Sequence, residues 1–136
     1  MLRSMTSGTH TTNYLDTFIA VAPDTRAVTA SEPPPKDTPT VARIQFEMLV
    51  DAPYVHTSDD VVHASQGARR GISREEFFAK GQPCLRTSPL VKTYGWGVHS
   101  DAEGRVALYA VESAEYRELA ARDDLKQLQG MRSSRA

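Results

Sequence analysis

The stretch "YGWGVHSDAEGRVALYAV", residues 94 to 111, limits the fold more than any other part of the chain. Two alternating apolar runs flank a polar turn that contains glycine, the pattern of an antiparallel β-hairpin. A turn through Ser100 to Gly104 predicts His99 opposite Arg105, Val98 opposite Val106, Gly97 opposite Ala107, Trp96 opposite Leu108 and Gly95 opposite Tyr109. One face is then large and apolar, and Trp96 points from it into a core. The other is a shallow trough of Gly95, Gly97 and Ala107, with Tyr109 at one end and His99 and Arg105 at the other. A slip of one residue would exchange the faces, so the reading depends on register. Glycine inside a strand marks either close packing, by a helix or by Tyr109 folded across it, or the approach of a ligand.

The rest of the chain supplies partners for this hairpin. The apolar run Phe18 to Ala22, stopped by Pro23, predicts a buried strand over 16–22 inside the sheet. "PDTRAVTASEPPPKD" is a long loop held extended by three successive prolines. Thr38 as N-cap, Pro39 at the first helical position and Pro53 beyond the end predict a helix over 39–51. Val41, Ile44 and Met48 form its apolar stripe, which Phe46, Leu49 and Val50 widen. Val61 and Val62 favour a strand over 59–65, although Ser58 would also suit a helix cap. Ser73 and Glu76 have capping-box spacing and predict a helix over 74–80; Ser113 caps another over 113–122, with a break near Asp123. The expected architecture is α+β, a small, mainly antiparallel sheet covered by about three helices. Residues 1–9 read as a disordered leader, with Met5 as an alternative start, 10–125 as one domain and 126–136 as a flexible tail.

Composition narrows the function classes. The chain of 136 residues has 24% charged residues and a net charge of −1, which gives no long-range attraction to polyanions, so no nucleic acid or anionic membrane is expected as partner. "MLRSMTSGTH" lacks the apolar run of a secretory signal, and "FIAVA" is too short to span a bilayer. The single cysteine, Cys84, excludes an intrachain disulfide and fits a reducing, cytoplasmic setting.

Candidate chemistry gathers around "GQPCLRTSPL" and the hairpin. Two prolines would hold this segment extended and present Cys84, Arg86 and Ser88 at fixed spacing. A thiolate nucleophile needs a base or a positive charge beside it, which makes Cys84 and His99 the catalytic candidates, with Arg86 near in sequence. A lone cysteine is more often a small buried hydrophobe. Arg105 beside His99 would favour the neutral imidazole. Arg86, Ser88, Gly95, Gly97, Arg105 and Tyr109 are the candidate ligand contacts. His10, His56, His63 and His99 are scattered without metal-site spacing, and no phosphate loop or dinucleotide fingerprint is present, so no metal and no cofactor is expected. The pairs Asp59–Asp60 and Glu75–Glu76 read as solvated acids at element starts.

The blocks "HTTNYLDTFIAVAPD", "IQFEMLVDAPYVHTSDDV" and "FFAKGQPCLRTSPLVKTYGWGVHSDAEGRVALYAVES" resemble a family of small, uncharacterised, mainly microbial proteins classed as a domain of unknown function. The resemblance spans about residues 10 to 120 and implies one intact domain; it brings no enzyme activity and no catalytic residue. Three functional readings follow. The first is a non-enzymatic domain that binds a small molecule or a protein through the trough and "PCLRTSP". The second is a Cys84/His99-dependent hydrolase or transferase. The third is a homo-oligomer in which another subunit covers the trough.

Overall fold

The computed structural model describes residues 10–133, so the expected leader over 1–9 lies outside it. Among the described residues are four strands, β1 (Thr17–Ala20), β2 (Trp96–Ser100), β3 (Val106–Ala110) and β4 (Lys126–Gln129). They also hold five α-helices: α1 (Val41–Leu49), α2 (Ser58–Val62), α3 (Arg74–Phe77), α4 (Pro89–Lys92) and α5 (Ala114–Ala120). The sheet order is β3-β2-β1-β4, with β1 antiparallel to β2 and parallel to β4. The class is α+β, as the alternating hairpin and the capped helical segments predict. No helix among the described residues is long and apolar enough to cross a membrane.

The hairpin turn decides the register. Asp101 Oδ1 accepts from Glu103 N and Arg105 N, both at 2.9 Å, and Gly104 takes φ +83°. This is a three-residue loop over 102–104 closed by a left-handed glycine, shorter than the turn expected through Ser100 to Gly104 and centred one residue later. It pairs His99 with Ala107, Val98 with Leu108 and Gly97 with Tyr109, two positions from the expected partners. An even shift preserves side-chain parity, so the two faces keep their expected residues.

Each face has its own core. Ile19, Val98 and Val106 pack on one face with Leu49, Val62 and Phe77 from the helical layer. On the other, Phe18 packs with Tyr116 and Leu119 of α5 and with Leu125. Phe18 and Tyr116 meet edge to face, with ring centroids 5.0 Å apart. Trp96 anchors rather than lines a cleft: its Nε1 donates to Ser31 O at 2.9 Å, and its ring lies 5.7 Å from that of Phe46. Thereby the proline loop is strapped onto the sheet, and Arg43 of α1 holds the same loop through Glu32 and the carbonyl of Pro33.

Several elements differ from expectation for physical reasons. Residues 59–65 are helical rather than a strand. Thr57 and Asp60 form a capping box that starts α2, and a π-helical turn over His63–Gly67 continues it. The cap of α1 is Thr40, not Thr38, and its buried face is Ala42, Gln45, Phe46 and Leu49. Gln45 sits there because Ser65 and Ser88 satisfy its amide: Nε2 donates to Ser65 Oγ at 3.1 Å, and Oε1 accepts from Ser88 Oγ at 2.6 Å. Residues 126–129, expected in a flexible tail, form β4. The chain turns after α5 so that Leu125 packs with Tyr116 and Leu119, which delivers the next residues to the open edge of β1. Asp59, expected as a solvated acid, is buried, and its carboxylate accepts from Thr11 Oγ1, Thr12 N and Thr12 Oγ1 at 2.6 to 2.8 Å. The "HTTN" segment is thus pinned against the start of α2.

Candidate functional site

The trough exists, and the chain itself fills it. A Cβ placed on Gly97 would lie 2.6 Å from Tyr116 Cε2 and 2.7 Å from Phe18 Cζ. The close approach is therefore intramolecular packing by α5, with Tyr116 Oη accepting from Val21 N at 3.0 Å. Gly95 lies beyond β2, at φ +81°, and the carbonyl of Thr29 presses against it at 2.7 Å from an ideal Cβ. Both glycines are accounted for by backbone and ring contacts within one chain, and the trough needs no second subunit to cover it.

At the far end of this face Tyr54 joins His99 and Tyr109. Its Oη lies 2.7 Å from His99 Nδ1 and 2.7 Å from Tyr109 Oη. The segment around Tyr54 runs along the outer edge of β3, where Tyr54 N donates to Val106 O at 3.0 Å and Val106 N to His56 O at 2.8 Å. Tyr54 adopts φ +61°, a region that non-glycine residues rarely occupy, and these contacts hold it there. Burial lowers the pKa of His99, as does the nearby cation of Arg122, while Asp101, Asp16 and Asp124 oppose the shift. Burial, then the bond to Tyr109, raises that of Tyr54. The pair is neutral at neutral pH. Arg105 takes no part in it: the guanidinium is exposed and pairs with Glu103 at 2.9 Å.

Cys84 belongs to the opposite side of the sheet. Its Sγ lies 3.4 Å from the Oη of Tyr14, which packs against the core containing Ile19, Val98 and Leu85. His99 is the register partner of Phe18, whose side chain lies in the other core. The structure therefore does not bring the expected nucleophile and base together. The bond to Cys84 raises the pKa of Tyr14, with burial adding to it and Arg86 working against it. Ser88 is buried as the cap of α4, where its Oγ accepts from Leu90 N at 3.0 Å and donates to Gln45. "PCLRTSP" is not extended, since Leu85–Thr87 form a 3-10 turn leading directly into α4.

Among the expected ligand contacts, Arg86 lines an open cleft. This cleft of about 560 Å³ lies at the C-terminal end of β4, walled by Pro23, Arg86, Gln129 and residues 130–133. Arg86 forms one wall by gripping the strand end: its Nε donates to Gln129 O at 2.7 Å, and its carbonyl accepts from Met131 N at 2.7 Å. Gly130 lets the strand pass close to α4, since a Cβ there would meet Val91 Cγ2 at 2.7 Å. A second depression of about 220 Å³, lined by Asp24, Arg26, Lys92, Thr93 and Ser133, adjoins the first at Ser133. No local pattern in residues 126–133 announces this site; it arises because β4 is recruited to the sheet. Among the described residues no three His, Cys, Asp or Glu gather closely enough to hold a metal ion.

Fold and cleft together define an α+β protein with an open, arginine-walled groove at the end of an edge strand. A family model described as "Family of unknown function (DUF6157)" matches residues 9–136, and the chain belongs to that family. No curated protein and no solved structure proved similar to it.

Proposed function

We propose that this protein is a non-enzymatic binding domain whose ligand site is the cleft at the end of β4, with Arg86 as its polar anchor. The observation that carries this reading is the cleft itself. Its volume of about 560 Å³ falls in the range of small-molecule sites, and a guanidinium is fixed in its wall. The separation of Cys84 from His99 favours binding over thiol chemistry, because each bonds a tyrosine on its own face. A reducing, cytoplasmic setting belongs to the same reading, supported by the single half-buried thiol.

A thermal-shift screen of small molecules, followed by backbone NMR with the hits, tests the proposal. The expected result is a stabilising compound that moves the amide resonances of residues 129–133. Arg86→Gln, which keeps an N–H for Gln129 O, is expected to abolish the response while leaving the remaining spectrum in place. Hits that map consistently elsewhere, or that bind Arg86→Gln unchanged, would overturn it.

A further inference from the structure

Resting on that reading of the β4 cleft, we infer that its ligand is a small oxyanion carrying more than one negative charge, a phosphate ester or a polycarboxylate. The two adjoining depressions place three cationic side chains, Arg26, Arg86 and Lys92, beside one carboxylate, Asp24, which already accepts from Ser133 N. The whole chain has a net charge of −1, so this concentration of positive charge is local.

How these cations are employed supports the inference. Ion pairs tie up Arg43, Arg74, Arg105 and Arg122, none of which lines the two depressions. Among the described residues, Arg26 and Lys92 find no ion-pair partner and no side-chain hydrogen bond. Arg86 bonds a backbone carbonyl and faces the Tyr14 hydroxyl, so its positive charge is not balanced by a carboxylate. A fixed guanidinium provides planar N–H donors for an oxyanion, and the flanking ammonium and guanidinium add attraction that salt will screen. The depressions hold about 560 and 220 Å³, room for a compact ligand.

Amide NMR titration with inorganic pyrophosphate and with citrate, each at low and at raised ionic strength, reads this out directly. Saturable shifts at residues 130–133 are expected for at least one anion, weakening at least threefold on raising the salt from about 20 to 200 mM. Tighter pyrophosphate binding would point to a phosphate ester, and tighter citrate binding to a polycarboxylate. The double variant Arg26→Gln/Lys92→Gln removes two charges without removing any bond within the fold, so its unliganded spectrum should remain native. Its affinity is expected to fall about tenfold.

Unchanged affinity in that variant would overturn the inference. So would a neutral screening hit that occupies residues 129–133 when neither anion does, an outcome that leaves the binding reading intact. Anion shifts mapping away from the cleft would overturn the inference, and a cleft that accepts neither anions nor screening hits would overturn both.

Discussion

A methyl group at Gly97 has nowhere to go. Its Cβ would stand 2.6 Å from one ring and 2.7 Å from another, both in the core beneath α5. Gly97→Ala should destabilise the fold by about 2 kcal/mol through overpacking, read as a lower urea midpoint at unchanged slope. Ligand entry through the trough would instead leave stability nearly unaltered. Asp59 poses the opposite problem, a buried carboxylate whose worth lies in the donors it satisfies. Asp59→Ala leaves the N–H of Thr12 without its acceptor and should cost about 3 kcal/mol by the same measurement. Neither role is written locally. An alternating pattern identifies which face Gly97 occupies, but not that Tyr116 covers it. Two adjacent aspartates look alike until one caps its own helix and the other holds a segment more than forty residues away.

At the scale of elements, caps and turns were legible where their chemistry is short-range. Ser73 accepts from Glu76 N and Ser113 from Tyr116 N, each at 3.1 Å and at the spacing that marks a helix start. Pattern failed where a distant contact supplied the stabilisation. Gln45 belongs to the buried face of α1 only because Ser65 and Ser88 satisfy it, and a hydrophobic stripe cannot reveal such a position. β4 is the plainest case. "KQLQ" is a polar run with no alternation toward solvent, yet it pairs along β1 with Lys126 N donating to Asp16 O and Gly130 N to Ala20 O. Deleting residues 126–136 should therefore lower the melting temperature and promote aggregation, because it uncovers the edge of β1. A mere tail could be removed with neither effect, as thermal melts and light scattering of the truncated chain would show.

The molecule as a whole feels the protonation of His99. Its folded pKa lies below the ordinary 6.5, mainly because of burial, so the unfolded chain takes up this proton first as pH falls. Stability from this group is complete above about pH 6.5, declines through the interval below it and levels off once the folded imidazole is also charged. His99→Asn, which keeps an acceptor and a donor for Tyr54, should flatten that part of the curve. Urea midpoints of the two proteins between about pH 5 and 7.5 give the comparison, and parallel curves would exclude His99 as the source. Such coupling depends on the burial of His99, where Tyr54, itself bonded to Tyr109, meets Nδ1 in an arrangement assembled from three separate segments.

The sequence by itself determined what short-range chemistry can specify: an α+β composition of elements, a hairpin with parity intact, Trp96 on a core face, and helix starts at Ser73 and Ser113. Alternation and capping act over a few residues, so they can be read from a few residues. Tertiary structure decided the two-residue shift in register, the recruitment of β4, the closing of the trough by Tyr116 and the placing of Cys84 and His99 on opposite faces. These depend on which distant segments win the competition to bury a surface or satisfy a polar group. The cleft at Arg86 belongs to that second set, since it opens only where the last strand meets the turn before α4.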